Sequence, residues 1–182
     1  EDINDENQTI RIPEIGTELT DKATGSHTIT EGKATVLTDV VRYEGLIPGR
    51  KYTICGVLVD KETGDEIRDG EGNCVTSSVT FEAPEADGTV SLDFTVDSSL
   101  LPAKRIVAFE TLSYEGRNVA IHADINDEDQ TVGVPELVTS ATGITGTKII
   151  SKDKEVTVTD HVEYRNLTPG RTYTVSGTLM YA

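Results

Sequence analysis

Two acidic residues stand where the strand pattern predicts buried side chains. Alternate residues of a β-strand point to the same face, which groups Asp39 with Leu37 and Val41, and Glu110 with Leu112. An unpaired carboxylate in an apolar core is costly and tends to take up a proton instead. Acids with perturbed pKa values concentrate at functional sites, so the pair favours acid–base chemistry inside the fold.

Three further polar residues share strand faces with apolar neighbours. Gln130 lies on the face of Val132, Thr17 lies on the face of Leu19, and His122 stands in an apolar stretch whose orientation the pattern leaves open. A strand Thr, a buried amide or a packed His is common without any chemical role. Together with the two acids, however, they predict a hydroxyl, a carboxamide, an imidazole and two carboxyl groups in one core.

The sequence repeats itself. Residues 2–9 return almost unchanged as residues 124–131, which is 122 positions later. Residues 38–53 return as residues 159–174 with an offset of 121, so one residue is lost between the copies. Self-similarity at a fixed period indicates tandem domains.

The repeat predicts three parts. Residues 1–10 are expected to be the tail of a preceding repeat, residues 11–132 a complete repeat, and residues 133–182 the N-terminal part of a following repeat. A copy of this length is an ordinary domain with a sizeable core. We therefore interpret the chain as an excerpt of a longer tandem protein.

The chain is strongly acidic, with 16 Lys and Arg against 32 Asp and Glu and a net charge of −16. This charge argues against nucleic acids and anionic membranes as partners. No apolar run approaches the length of a membrane span, so no membrane insertion is predicted for this segment. No cofactor or metal is predicted either.

Short segments of period-2 alternation, separated by Gly, Pro and Asn–Asp breaks, follow one another along the chain. No segment sustains a period of 3.6 residues. The pattern predicts an all-β fold, an immunoglobulin-like antiparallel β-sandwich in tandem repeats. The strands of the complete repeat are expected near residues 15–19, 33–43, 52–60, 75–81, 89–96, 105–114 and 119–125.

Two cysteines, Cys55 and Cys74, lie in the complete repeat. If they pair, the midpoint between them falls at Gly64 and Asp65, in a turn-like segment, so a cross-strand disulfide is geometrically possible. The alternative is two buried free thiols.

These segments together resemble a known family. Residues 107–110, Val-Ala-Phe-Glu, followed by residues 122–125 and by Gln130 with Thr131, are similar to the VaFE-type repeat of Gram-positive surface-anchored adhesins. The resemblance extends over essentially the whole chain and includes residues 13–17, 38–43 and 46–49. Domains of this family are immunoglobulin-like stalk modules, and some close themselves by an internal ester bond between a Thr and a Gln side chain.

The resemblance implies a role for each of the five polar residues. Thr17 would supply the ester hydroxyl and Gln130 the carboxamide, while His122, Asp39 and Glu110 match the supporting His and the two acids. The imidazole would take the hydroxyl proton and pass it to departing ammonia, and the protonated member of the acid pair would polarise the carboxamide carbonyl. The reaction happens once per domain, so the domain processes itself and is not an enzyme.

This sequence departs from the family pattern at one position. Family members often carry a second Thr after the first, whereas Glu18 stands here. Thr20 is therefore an alternative candidate for the hydroxyl, although Thr17 has the better position in the strand.

The same reasoning assigns partial sites to the neighbouring repeats. Gln8 would belong to the preceding repeat, and Thr139 and Asp160 to the following one. The resemblance implies an extracellular, cell-wall-anchored protein whose partners in this segment are neighbouring repeats of the same chain. A host-surface ligand would bind elsewhere in the full protein.

Three rival interpretations remain open. The acidic residues 124–129 also resemble calcium-binding linkers between cadherin-type domains, since their oxygens suit a hard cation. A plain stalk domain without a covalent bond is the second. A hydrolase is the third and the weakest, because no glycine-lined oxyanion loop is visible.

Overall fold

Runs of β-branched and aromatic residues, broken by Gly, Pro and Asp, form the strands of the computed structural model, which describes residues 10–101, 104–150 and 155–180. Gln8 lies outside these residues. A 3₁₀ turn covers Ser98–Leu100. The strands are β1 Glu14–Asp21, β2 Thr35–Glu44, β3 Lys51–Asp60, β4 Thr76–Glu82, β5 Gly88–Val96, β6 Arg105–Tyr114, β7 Arg117–His122, β8 Thr131–Gly133, β9 Glu136–Gly143 and β10 Val158–Arg165.

Two antiparallel sheets make up the first repeat. One has the order β1-β2-β5 and the other the order β4-β3-β6-β7. Their facing sides hold the apolar core, which includes Leu37, Ile54, Phe94 and Leu112. The expected all-β antiparallel sandwich is therefore confirmed.

One edge of β6 is shared by two strands in succession. β7 pairs with its C-terminal half from Glu110 onward, and β8 pairs with its N-terminal half at Arg105, Ile106 and Val107. The chain between β7 and β8 therefore passes the middle of this edge of β6. This crossing point is where the candidate site lies.

The register between β6 and β7 shifts at a β-bulge opposite Leu112 and Ser113. The bulge changes which β7 side chains point to each face of the sheet. Beyond the bulge His122 stands directly opposite Glu110, while the intervening Ile121 is 62% exposed. Residues directly opposite each other in an antiparallel pair project to the same side of the sheet. His122 therefore shares the face of Glu110, and Ile121 faces outward, which resolves the orientation that the sequence pattern left open.

The second repeat begins with the same strand pairing as the first. Thr139 pairs with Val162, two positions after Asp160, in the register in which Thr17 pairs with Val41. The sequence repeat is thus also a repeat of strand register. No helix in the described part of the chain is long and apolar enough to cross a membrane.

Candidate functional site

The five polar residues predicted from the sequence come from five separate elements. Thr17 lies in β1, Asp39 in β2, Glu110 in β6 and His122 at the end of β7, while Gln130 immediately precedes β8. Thr17, Asp39 and Gln130 meet at the carboxyl group of Glu110, and His122 stands opposite Glu110 in the pairing of β6 with β7.

Glu110 is the centre of the hydrogen bonding in the site. Its Oε2 accepts a hydrogen bond from Gln130 Nε2 at 3.0 Å and another from the Thr17 hydroxyl at 3.4 Å. The hydroxyl and the carboxamide therefore approach the same oxygen atom from β1 and from the start of β8. The two groups are therefore held close to each other at one point of the core.

A backbone contact fixes this approach. The amide N–H of Leu19 donates to the carbonyl oxygen of Asp129 at 3.0 Å. This contact ties β1 to the segment that carries Gln130, two residues from Thr17 on one side and one residue from Gln130 on the other. The positions of the Thr17 and Gln130 side chains are thus set by the main chain.

Asp39 and Glu110 are both fully buried, with 0% and 1% exposure. Within the described residues, both oxygens of Asp39, Glu110 Oε1 and Gln130 Oε1 are buried without a hydrogen-bond donor. Two ionised carboxylates could not remain side by side in such a place, because desolvation and mutual repulsion both oppose the charged forms.

The pKa values of the two acids show how the pair resolves this conflict. Burial raises the pKa of Asp39 to about 6, although a hydrogen bond with Glu110 and the charge of His122 act in the opposite direction. Burial, and then the charge of Asp39, raise the pKa of Glu110 to about 10. At neutral pH Glu110 therefore keeps its proton, which supplies the hydrogen bond between the two acids.

His122 is held by a residue that the sequence analysis did not assign. Its Nε2 lies 3.0 Å from Asp127 Oδ2, and both side chains are about one-quarter exposed or less. The Thr17 hydroxyl donates to Glu110 and not to His122, so the transfer of that proton to His122 stays a prediction. A signal for Asp127 was available, since Asp5 occupies the same position in the earlier copy of this segment.

The loop that carries Gln130 is fastened from outside by two basic residues. Lys61 Nζ donates to Glu128 Oε1 at 2.8 Å and to Thr131 Oγ1 at 2.9 Å, and Arg105 pairs with Glu128 as well. Because the Lys61 side chain is only 12% exposed, its charge is partly removed from water and its bonds are geometrically restricted. These contacts hold Gln130 against Glu110.

The structure separates the two candidate hydroxyls. Thr17 shares the inward face of β1 with Leu19, whereas Thr20 alternates to the other face and pairs across the sheet with Thr38. Thr17 is therefore the hydroxyl that reaches the buried acids.

Both cysteines are free in the structure. Cys55 is exposed and pairs across β3 and β4 with Ser78, whereas Cys74 lies in a bridge with Arg68 and donates from Sγ to Glu66 at 2.7 Å. The disulfide that the spacing left open does not form here, because the excursion between β3 and β4 shifts Cys74 out of register with Cys55. The alternative of two buried thiols is wrong as well, since Cys55 faces solvent.

The acidic segment before Gln130 uses its side chains in local bonds. Asp124 accepts from the backbone of Asn126, Asp127 accepts from the backbone of Asp129, and Glu128 binds the two basic residues. Among the described residues, no group of three or more His, Cys, Asp or Glu side chains is arranged to hold a metal ion. The calcium alternative thus has no ligand cage in this part of the chain.

Comparison with known protein families gives one match. The model of the family described as "T-Q ester bond containing domain" matches residues 13–134 and again residues 135–182. The sequence matches no curated protein.

Two solved structures share the fold. Both are crystal forms of a bacterial adhesin from Mobiluncus mulieris that contains intramolecular disulfide, isopeptide and ester bond cross-links. One has a TM-score of 0.54 at 12% identity, over 85% of this chain and 76% of that one. The other has a TM-score of 0.53 at 14% identity, over 85% of this chain and 75% of that one. At these identities the likeness concerns the fold.

Proposed function

Because the chain belongs to the family of T-Q ester bond containing domains, we propose that its first repeat closes itself with an ester between the Thr17 hydroxyl and the Gln130 carboxamide. The observation that carries this proposal is the approach of both groups to one oxygen, Glu110 Oε2, at 3.4 and 3.0 Å. A plain stalk domain would have no use for two adjacent buried acids, because their burial costs stability.

The reaction we propose is an acyl transfer that balances without a co-reactant. Thr17 Oγ1 attacks Cδ of Gln130, the C–O bond of the ester forms, the C–N bond breaks, and ammonia leaves with the hydroxyl proton. An alcohol is a weak nucleophile and an amide a poor electrophile, so both proton transfers need a positioned group.

Glu110 has the position for both transfers. Its Oε2 is the acceptor of the Thr17 hydroxyl and also the nearest carboxyl oxygen to the departing Gln130 nitrogen. As Oε2 takes the hydroxyl proton, Oε1 can release its own proton to Asp39, which keeps the acid neutral throughout. Glu110 Oε2 then gives the hydroxyl proton to the Gln130 nitrogen, and Asp39 returns its proton to Glu110 Oε1.

His122 and Asp127 support this pair from β7 and the following loop. The charge of an imidazolium at His122 favours the ionised form of Asp39, which is the form that accepts a proton. Asp127 fixes the ring through its bond to Nε2. This proposal gives Glu110 the transfer that the sequence pattern assigned to His122, and leaves His122 as a group that orients and balances charge.

The biological role that follows is structural. We propose that the chain is a stalk segment of a bacterial cell-surface adhesin, located outside the cell and anchored to the wall, in which each complete repeat reacts once and does not turn over. The Mobiluncus mulieris protein of the same fold is an adhesin with an ester cross-link, which supports this role. An ester between β1 and the start of β8 would tie the two ends of the repeat together.

The direct test is the intact mass of the purified chain with its cysteines reduced. We expect a mass below the calculated value by one ammonia, because only one complete site is present. Proteolysis should yield a linked pair of peptides containing Thr17 and Gln130, and alkaline hydroxylamine should cleave the link, as it does an ester and not an amide. A chain of full calculated mass would contradict the proposal.

The acid pair also predicts how the stability of the unlinked fold depends on pH. In Thr17→Val, which cannot form the ester, the raised pKa of Glu110 means that the folded chain keeps a proton which the unfolded chain has lost. The stabilisation from that proton is complete below the unfolded pKa near 4.5 and is lost as pH rises toward the folded pKa of about 10. Between pH 6 and 8 we expect the free energy of unfolding to fall by about 1.4 kcal/mol per pH unit, the slope for one proton.

Urea unfolding of Thr17→Val at several pH values in this range measures the slope. The double variant Thr17→Val/Glu110→Gln is the control, because the amide cannot titrate and its slope should be shallower. Equal slopes for the two variants would mean that Glu110 is not protonated in the folded state.

A further inference from the structure

The second repeat carries a turn with the same internal construction as its counterpart in the first. After β2 the backbone N–H of Ile47 donates to the hydroxyl of Tyr52 at 3.0 Å, and after β10 the N–H of Thr168 donates to the hydroxyl of Tyr173 at 3.0 Å. Each turn is therefore held by its own tyrosine. Such a turn can present its outer side chains in a fixed arrangement to whatever lies against it.

In the second repeat this turn lies against the first repeat, with Thr28 at the centre of the contact. The Thr28 hydroxyl is 2.6 Å from Thr168 Oγ1, 3.3 Å from the Tyr173 hydroxyl, and donates to the carbonyl oxygen of Asn166 at 3.3 Å. A hydroxyl can donate one hydrogen bond and accept two. All the capacity of the buried Thr28 hydroxyl is thus used by the neighbouring repeat.

A second contact locks the same turn to the chain between the repeats. Asn166 Nδ2 donates to the carbonyl oxygen of Val134 at 2.9 Å. A Cβ atom on Gly133 would lie 2.7 Å from the Cβ of Asn166, so only glycine permits this approach. Gly133 is itself held by backbone bonds to His27 and Ile29 of the first repeat. The contact is therefore built on residues fixed within the first repeat.

Two of the side chains that make these contacts, those of Asn166 and Thr168, differ between the two turns. Gly45 stands where the second repeat has Asn166, and Ile47, 52% exposed, stands where it has Thr168. The tyrosine that holds the turn is the same in both. The difference is therefore confined to the surface that a preceding repeat would contact, and it leaves the internal construction of the turn unchanged.

We propose that Thr28, Gly133, Asn166, Thr168 and Tyr173 form a fixed joint that sets the angle between consecutive repeats. This inference rests on the proposed role of the chain as a stalk segment. Its partner is the next repeat of the same chain, recognised through hydroxyl and carboxamide groups. A joint of this kind keeps a row of repeats extended, whereas a linker without such contacts would let each repeat swing freely.

Paired spin labels measure the joint in the whole chain. Cys55 and Cys74 are replaced by Ser, and labels are attached through Ser91→Cys in β5 and Thr159→Cys in β10, both at exposed positions. Pulsed electron–electron double resonance then gives the distribution of distances between the two labels, one in each repeat. We expect one narrow peak.

Thr28→Val in this background keeps the shape of the side chain and removes the hydroxyl, so we expect the narrow peak to be lost. Asn166→Gly, which copies Gly45 of the first turn, should also lose it. Thr145→Val is the matched control, because the Thr145 hydroxyl bonds to the neighbouring Thr147 within its own exposed turn and lies outside the joint. A broad distribution in the parent protein, or a narrow one in Thr28→Val, would overturn the proposal.

Intact mass separates this inference from the ester proposal. Thr28 takes no part in the reacting group, so Thr28→Val should still lose one ammonia, which also reports that the first repeat has folded. A narrow peak in the parent protein with no loss of ammonia would leave the joint standing and remove the ester. Loss of ammonia together with a broad distance distribution in the parent protein would support the ester and contradict the joint.

Discussion

Thr17→Val is expected to return the intact mass of the chain to the value calculated from its sequence. The substitution keeps the shape of the side chain and removes the only oxygen that reaches Glu110 from β1. Without the ester, the unfolded first repeat regains the freedom of a loop of roughly 100 residues. By analogy with a disulfide of that span, this costs about 4–5 kcal/mol of stability, or on the order of 20 °C in Tm for a domain of this size.

The mechanical effect should be larger than the thermal one. When the chain is pulled at its ends, the ester would carry the force past the strands between Thr17 and Gln130. When Thr17→Val unfolds, the chain between residues 17 and 130 should extend by about 350 Å for roughly 100 residues. The parent chain should not show this extension. Single-molecule extension measures this difference directly.

Thr20→Val is the matched control for this experiment. It is the same substitution in the same strand, but it lies on the face of β1 away from the buried acids. We expect the mass deficit, the Tm and the extension to stay as in the parent chain. If Thr20→Val had the full calculated mass and Thr17→Val still lacked one ammonia, Thr20 would be the ester hydroxyl and the assignment of Thr17 would be wrong.

Glu110→Gln should have the second large effect, a loss of crosslinking rate of about 10²–10⁴-fold, the usual contribution of a positioned acid–base group. The amide has the size of the protonated acid and can donate to Asp39 while accepting from Thr17, so the fold should persist. It cannot carry a proton from the hydroxyl to the departing nitrogen. Intact mass of chains from cell-free synthesis, stopped with acid at intervals, gives the rate.

Glu18→Gln provides the comparison, because Glu18 is an exposed acid directly after Thr17. Its crosslinking rate should equal that of the parent chain. The Tm of unlinked Glu110→Gln should match that of Thr17→Val, which separates lost chemistry from lost folding. Crosslinking of Glu110→Gln at the parent rate would show that another group moves the proton.

Much of the fold and of the candidate site can be predicted from the sequence. Period-2 alternation placed Asp39, Glu110 and Thr17 among apolar residues, and it gave the strands to within a few residues. The resemblance to a family of ester-forming domains is confirmed by the family match. The domain boundaries at residues 11–132 and 133–182 stay predictions, as do the roles of the individual site residues.

Other features depended on contacts that no local pattern contains. The facing of His122 was ambiguous because β7 has an extra residue, Val119, opposite Leu112 and Ser113, and this bulge breaks the alternation within β7 itself. The cysteines are apart because their register depends on the path of the chain between β3 and β4.

Sequence alone therefore determined which residues are polar where the fold is apolar, since the choice of side chain at each strand position is local and periodic. Only the tertiary structure decided that Thr17 and Gln130 reach the same oxygen of Glu110, that Asp127 holds His122, and that Thr28 receives the next repeat. The contact between Asp127 and His122 spans five residues, whereas the others join residues 20 or more positions apart. All of them follow from strand order, register and loop paths. These are set by the packing of the whole domain and not by any segment within it.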